Sequence, residues 1–238
     1  GHFWPWHAVL TFGARVFDGE EYVATLDDPR TFAAFEWMLE MQEYMPTGIM
    51  DVGFQEEAVL FMEGRLAMAP VHGMQAPQML DPEFTEFHEN VGFVAYPRYP
   101  DNQRGLRTGQ SHLGGGGFSI HKHSENPDAA WELISWLLSP EITQELARQG
   151  SIVPRRSIME SDELFEDRPE YKEFFPAYSQ MLEHGGNPRY GIPEGDAIYE
   201  ELAYAWGQVE RGDADIESAI KSAHRRINEI LEDAGYQD

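Results

Sequence analysis

Cysteine is absent from the 238 residues. That removes disulfide frameworks, thiol nucleophiles and thiolate metal sites together, and it fits an exported chain. Lysine is almost absent: Lys122, Lys172 and Lys221 are the only three, and the other basic side chains are arginines. No apolar run approaches the ~20 residues that a membrane-crossing helix needs. No HExxH, GxSxG or P-loop pattern occurs. Gly114 to Gly117 lacks the Lys-Ser/Thr that would follow in a phosphate-cradling loop. The shortage of positive charge leaves a formal net charge of −25, which argues against nucleic acid and against anionic membrane surfaces. An acid-rich, lysine-poor surface suits high salt, where self-repulsion is screened, so a salt-adapted source is expected. No signal peptide is visible and the first residue is Gly1, as in a processed or truncated chain.

What is present is globular. Hydrophobic residues make up 42% and aromatics 13%, values of a chain that buries a core. The length suits one large domain or two small ones. The stretch from Gly114 to Pro140 organises the rest. Four glycines lead into Phe118-Ser119-Ile120, which reads as a short buried strand. Asn126-Pro127 then opens a helix, with Asn126 as cap and Pro127 at its first position. Ala130, Leu133, Ile134, Leu137 and Leu138 repeat at helical spacing as its buried stripe. Ser139-Pro140 stops that helix and caps the next.

Elsewhere, Val16 to Thr25 reads as a β-hairpin turning at Asp18-Gly19. Asp28-Pro29 caps a helix that turns Phe32, Phe35, Met38 and Leu39 inward. A helix follows from about Gln55 to Glu63. Leu66 to Ala69 and Val91 to Tyr96 read as strands. Asp162 to Leu182 holds one or two helices, Asp196 to Val209 another. The last helix starts at Asp215, with Ile216, Ala219, Ile220, Ala223, Ile227, Ile230 and Leu231 on one apolar stripe.

Three places suggest chemistry. Phe3, Trp4 and Trp6 cluster near the start, flanked by His2 and His7. They are either a core cluster or a platform for the apolar face of a sugar. His72, Met74 and Gln75 follow a strand and either contact a ligand or merely link strand to helix. His112, His121 and His123 flank the glycines; an HxH pair on a strand turns both rings to one face, but surface histidines are the default, so neither a metal nor a cofactor is expected. Carboxylates are abundant and spacing selects no acid–base couple. Glu56-Glu57 and Glu200-Glu201 read as solvated helix faces.

Four blocks resemble the extracellular solute-binding proteins of ABC importers, in the class that includes maltose- and polyol-binding proteins. GGGGFSIHKHSENPDAAWELISWLLSPE is similar to that family's Gly-rich turn, short strand and following helix. Phe61 to Met68 is similar to its "aFxxGkaAM" block, Ile152 to Arg156 to "lPxR", and Gly212 to Ile220 to "Gxxsvdeal". The blocks stand in the family's order and cover nearly the whole chain. Gly13-Ala14 departs from the family's Gly pair, and no Trp occupies the turn around Met74.

The resemblance implies an α/β fold of the type II periplasmic-binding-protein kind, two lobes joined by a hinge. It assigns residues 1–109 and 156–238 to the C-terminal lobe and 110–155 to a returning segment of the N-terminal lobe. It implies capture of a sugar, polyol or similar solute in the cleft, delivery to the transmembrane subunits of an ABC permease, and no catalysis. It further implies a periplasmic or extracellular location, compatible with a lipoprotein anchor, and a monomer. The ligand contacts it implies are Phe3, Trp4, Trp6, His72, Met74, Gln75, Gly115, Gly116, Gly117, Arg189, Tyr190 and Tyr199. Among these, Trp4 and Tyr199 are expected to stack on ligand and the glycine amides to approach it. Family members place well over a hundred residues before the aromatic segment, so most of one lobe is expected to be missing and the Ala130–Leu138 stripe to lack a partner. The competing readings are a carbohydrate-active hydrolase, or the same fold holding an anionic or peptide-like solute through Arg104, Arg107, Arg155, Arg156 and Arg189.

Overall fold

A computed structural model of the protein describes residues 4–47, 52–97, 116–184 and 191–237. They form two compact units: residues 1–51, 95–114 and 181–238, and residues 52–94 and 115–180. The second unit spans the expected boundary between residues 155 and 156. It also includes 52–94, which the resemblance places in the other lobe.

In the first unit, helix α1 (Trp4–Thr11) leads into a hairpin of β1 (Phe17–Asp18) and β2 (Val23–Ala24). The strands are antiparallel, with Phe17 opposite Ala24 and Asp18 opposite Val23. The turn is longer than expected because Asp18 accepts from the backbone N–H groups of both Glu20 and Glu21, at 2.7 and 3.1 Å. Helix α2 (Pro29–Met41) starts where its cap predicts: the Asp28 carboxylate accepts from the Arg30 N–H at 2.9 Å. Helices α10 (Gly195–Glu210) and α11 (Ile216–Asp233) complete the unit, the latter capped by Asp215 through the Ser218 N–H at 2.8 Å.

Their apolar stripes meet in one core. Trp6, Val9 and Phe12 of α1, Phe35 and Met38 of α2, Ile198, Leu202 and Trp206 of α10, and Ile220, Ile227 and Leu231 of α11 are all buried in it. Phe35 meets the Trp206 ring edge-on, 5.5 Å between centroids. Each large side chain so buried contributes about 1.5–3 kcal/mol. The tail closes over the hairpin: Tyr236 stacks on Tyr22 at 4.6 Å, and the Gln237 amide donates to the Tyr22 carbonyl. Asn228 accepts from the Ala24 N–H at 2.8 Å. These contacts hold Tyr22 at φ +53°, in the left-handed region that side chains with a Cβ avoid.

The second unit is built of shorter pieces: α3 (Phe54–Met62), α4 (Ala76–Met79), α5 (Pro127–Leu137), α6 (Pro140–Arg148), α7 (Arg156–Met159), α8 (Asp162–Asp167) and most of α9 (Phe174–His184). Its core gathers Ala76, Ala147, Val153, Met159, Leu164, Tyr171, Phe174 and Phe175. Ser139 caps α6, its hydroxyl accepting from the Ile142 N–H. Arg148 reaches Asp167 at 2.7 Å and Glu163 at 2.8 Å, which ties α6 to α8.

Several expected elements differ. Phe118–Ile120, Leu66–Ala69 and Val91–Tyr96 are not strands. A strand exists only when a neighbour satisfies its N–H and C=O groups, and the hairpin is the sole sheet among the described residues. The stripe that periodicity marks as buried on α5 is not: no residue of that helix is, and Leu133 stands 56% exposed, in line with the expectation that the Ala130–Leu138 stripe lacks a partner. Helix α1, by contrast, forms where the sequence reading saw only an aromatic cluster.

Candidate functional site

In the first unit, α1 and α10 bring together two of the expected contacts. The Trp6 and Tyr199 rings lie 5.6 Å apart, inclined by 38°. Trp6 is 1% exposed, whereas Tyr199 is half-buried at the edge of the core. Trp6 is therefore a core side chain whose ring supports Tyr199. One residue further along α1, His7 stacks on Tyr96, 5.2 Å between centroids and 21° between planes. Tyr96 in turn donates its N–H to the Met181 sulfur at 3.0 Å. Trp4 begins α1, but its side chain, like Phe3, Gly115, Arg189 and Tyr190, lies outside the described residues.

In the second unit, His72, Met74 and Gln75 form a small capped turn. The His72 N–H donates to the Gln75 side-chain oxygen at 2.9 Å, and the Met74 N–H donates to His72 Nδ1 at 3.2 Å. The two polar side chains thus close the turn reciprocally, and Nδ1 acts as an acceptor, which puts the proton of the neutral ring on Nε2. Met74 points outward, 72% exposed. Glycine is needed between them: a Cβ on Gly73 would lie 2.6 Å from Ile152 and 2.9 Å from Tyr178.

The glycine turn behaves differently. A Cβ on Gly116 or Gly117 would meet nothing within 4 Å, and neither residue has a positive φ. The close approach that glycine permits is not made to any described residue at those two positions.

The arginines offered for an anion are occupied where they are described. Arg155 donates to the Leu138 carbonyl at 2.8 Å, and Arg156 pairs with Glu160 at 2.8 Å. Arg104 and Arg107 lie outside the described residues, as does His112. His121 and His123 sit 5.4 Å apart between ring centroids, on irregular backbone rather than a strand. Among the described residues no three metal-ligating side chains gather. One acid stands apart: burial pushes the half-buried Glu57 of α3 up to about 7, so it is not the solvated carboxylate that its sequence context suggests.

Sequence reasoning named His7 only as a flanking residue and left Tyr96 inside a strand. Adjacency of an aromatic to Pro97 was the one available signal, because the residue before proline is held extended.

A family model of bacterial extracellular solute-binding proteins matches residues 2–173. This chain belongs to that family. A probable amino-acid ABC transporter periplasmic-binding protein of Sinorhizobium fredii is 24% identical over 155 residues, 62% of this chain and 32% of the relative. An ABC transporter solute-binding protein from Agrobacterium radiobacter K84, solved with ribitol, superposes with a TM-score of 0.75 at 24% identity, covering 94% of this chain and 55% of that one. Maltose-bound MalE3 of T. maritima superposes with a TM-score of 0.81 at 18% identity, covering 95% and 56%. This solute-binding protein thus spans about a third of the curated relative and just over half of the two solved ones. Over the aligned residues it has the α/β fold of the type II periplasmic binding proteins, contributing mostly helices. It has no helix, among the described residues, long and apolar enough to cross a membrane.

Proposed function

We propose that this chain forms part of the receptor of an ABC importer and captures a neutral sugar or polyol outside the cytoplasm. The observation that carries the reading is the family match over residues 2–173 combined with the fold shared with ribitol- and maltose-bound receptors. The receptor hands its solute to the permease's transmembrane subunits, makes and breaks no bond, and works as a monomer without a cofactor. Tyr199 is a stacking contact; Trp4, Phe3, Arg189, Tyr190 and the amides of Gly115 to Gly117 complete the candidate set, with the His72–Gln75 turn contributing through Met74. Residues 1–109 and 156–238 are assigned to one lobe and 110–155 to the other, as the family's order implies.

A neutral solute fits two features. The formal charge of −25 repels anions, and Arg155 and Arg156 are already engaged. The test is thermal melting of the intact protein with ribitol, maltose and a set of amino acids in separate arms. A ligand at 100 times its Kd adds about 2.7 kcal/mol of stability. A rise in Tm with ribitol or maltose and no product by chromatography supports the reading. A response confined to amino acids, or turnover of maltose, rejects it.

A further inference from the structure

We propose that the segment after α11 is a conformational latch. Engaged, Tyr236 and Gln237 hold Tyr22 in the left-handed region and fix the turn between β1 and β2. Released, Tyr22 relaxes to extended backbone and the turn moves while the helical core stays folded. The latch involves none of the candidate solute contacts.

The two halves of that turn are anchored differently. The first half is held locally, since the Asp18 carboxylate accepts from the N–H groups of Glu20 and Glu21. The second half is held from a distance. Tyr22, at φ +53°, is the one residue other than glycine with a positive φ among the described residues. The left-handed penalty on an L residue amounts to about a five- to thirtyfold preference for leaving that region. A tyrosine stays there only where its surroundings over-determine it. Here the tail takes both its ring and its carbonyl. Tyr236 stacks on the ring, 4.6 Å between centroids and 10° between planes, and the Gln237 amide donates to the Tyr22 carbonyl.

The end of α11 aims the tail at the hairpin. Gly235 takes φ +79°, its N–H donates to the Glu232 carbonyl at 2.9 Å, and the Tyr236 N–H donates to the Leu231 carbonyl at 3.0 Å. This pair of bonds closes a helix and turns the chain back. Asn228 of α11 joins tail to strand: its side-chain oxygen accepts from the Ala24 N–H at 2.8 Å and from the Gln237 amide at 3.4 Å. Tyr236 also donates a hydrogen bond to Glu194, at the start of α10. All these residues belong to the first unit. Beneath them Val16, Phe17 and Leu26 are fully buried, so the strands remain seated in the core when the turn is freed.

The experiment is native-state hydrogen exchange on four full-length chains: unmodified, Tyr22→Gly, Tyr236→Ala with Gln237→Ala, and all three substitutions together. The Tyr236→Ala, Gln237→Ala chain should exchange the Val23 and Ala24 amides at least tenfold faster. Amides in the middle of α2 and α10 should change less than twofold. Glycine takes the left-handed conformation at no steric cost, so adding Tyr22→Gly to that chain should slow Val23 and Ala24 at least threefold. The same substitution in the unmodified chain, where the latch is engaged, should not slow them. Val23 and Ala24 exchange within twofold of the unmodified chain after both tail substitutions overturns the latch, because the strand register alone would then hold Tyr22. Equal acceleration in α2 and α10 overturns it too, because the tail would then only add to overall stability. If the doubly substituted chain does not fold, Gln237→Ala alone decides: faster exchange confined to the turn supports the latch, and exchange within twofold rejects it.

Discussion

The two units of this chain solve the burial problem to different degrees. The first gathers four helices and a hairpin around Trp6, Phe12, Phe17, Phe35 and Trp206. The second gathers Tyr171, Phe174 and Phe175 with small residues from short helices. Its apolar surface is correspondingly unfinished. Of the large hydrophobic side chains that stand exposed among the described residues, all but Tyr44, Leu182 and Tyr204 belong to the second unit. Long amphipathic helices such as α11 bury their stripe against two neighbours at once. The second unit's helices, four to eleven residues long, present fewer turns for that. The difference teaches that stability within this chain is concentrated in the first unit, while the second depends on turns, caps and charged ties such as Arg148–Asp167, which are worth little when exposed.

The strongest way to break this comparison is a core truncation. Trp206→Ala removes a ring that is 4% exposed and packed edge-on against Phe35. It should cost about 3–5 kcal/mol, read as a fall in urea midpoint at constant slope. A loss below about 1 kcal/mol would mean that the first unit is no better consolidated than the second.

How far this difference could be read beforehand depends on the kind of element. Most helix starts were legible because caps are set by local chemistry: Asp28 and Ser139 cap the helices they were expected to cap and α11 begins after Asp215, whereas Asn126, expected to cap α5, makes no side-chain cap bond. The stripe of α11 was legible for the same reason, since periodicity is a property of the segment alone. Strands were not. Leu66–Ala69, Val91–Tyr96 and Phe118–Ile120 carry strand-like composition, but pairing is a property of two segments. The site divided similarly. Trp6 and Tyr199 were named and do meet, yet which ring is core and which is edge follows from the rotation of α1, which was read as a cluster rather than a helix. His7–Tyr96 joins residues far apart in sequence, and its one local sign was the proline after Tyr96.

Two glycines sharpen the comparison through the backbone. Gly150 in the second unit and Gly212 in the first both adopt positive φ, +85° and +73°. A Cβ on Gly212 would meet nothing within 4 Å, whereas one on Gly150 would lie 2.5 Å from Pro77 and 2.6 Å from the Tyr171 hydroxyl. Gly212→Ala should cost about 1–2 kcal/mol, the left-handed penalty alone. Gly150→Ala adds overpacking and should cost about 3 kcal/mol. Equal losses in chemical denaturation would show that the contact between α4 and the end of α6 yields easily.

Acids divide the units in the opposite sense. Asp18 and Asp215 of the first unit are held below the usual carboxylate range by backbone N–H donors. Their contribution is present at neutral pH and fades as pH falls through those lowered values. Glu57 of the second unit is raised from 4.5 to about 7 by burial. Its folded pKa lies above its unfolded one, so its protonated form favours folding. That contribution is complete below about 4.5 and is lost as pH rises through 7. Glu57→Gln should therefore gain on the unmodified chain as pH rises from 5 to 8, by about 1–2 kcal/mol once solvent screening of the half-buried carboxyl is allowed for. Stability curves that run parallel across that interval would place the Glu57 carboxyl in water.

The smallest effect is expected where the second unit is least finished. Trp131 and Trp136 of α5 are 64% and 57% exposed, and no residue of that helix is fully buried. A side chain that touches little in the folded state contributes little when removed. Trp131→Ser and Trp136→Ser should each shift stability by less than about 0.5 kcal/mol, roughly a tenth of the Trp206→Ala loss. Tryptophan fluorescence would read the same contrast, with the α5 rings emitting as solvent-exposed indoles and being quenched by acrylamide. Either serine variant losing more than about 1 kcal/mol, or quenching that spares these two rings, would show that α5 is covered in solution. The contrast between a consolidated first unit and an unfinished second one would then fail at the helix that displays it most.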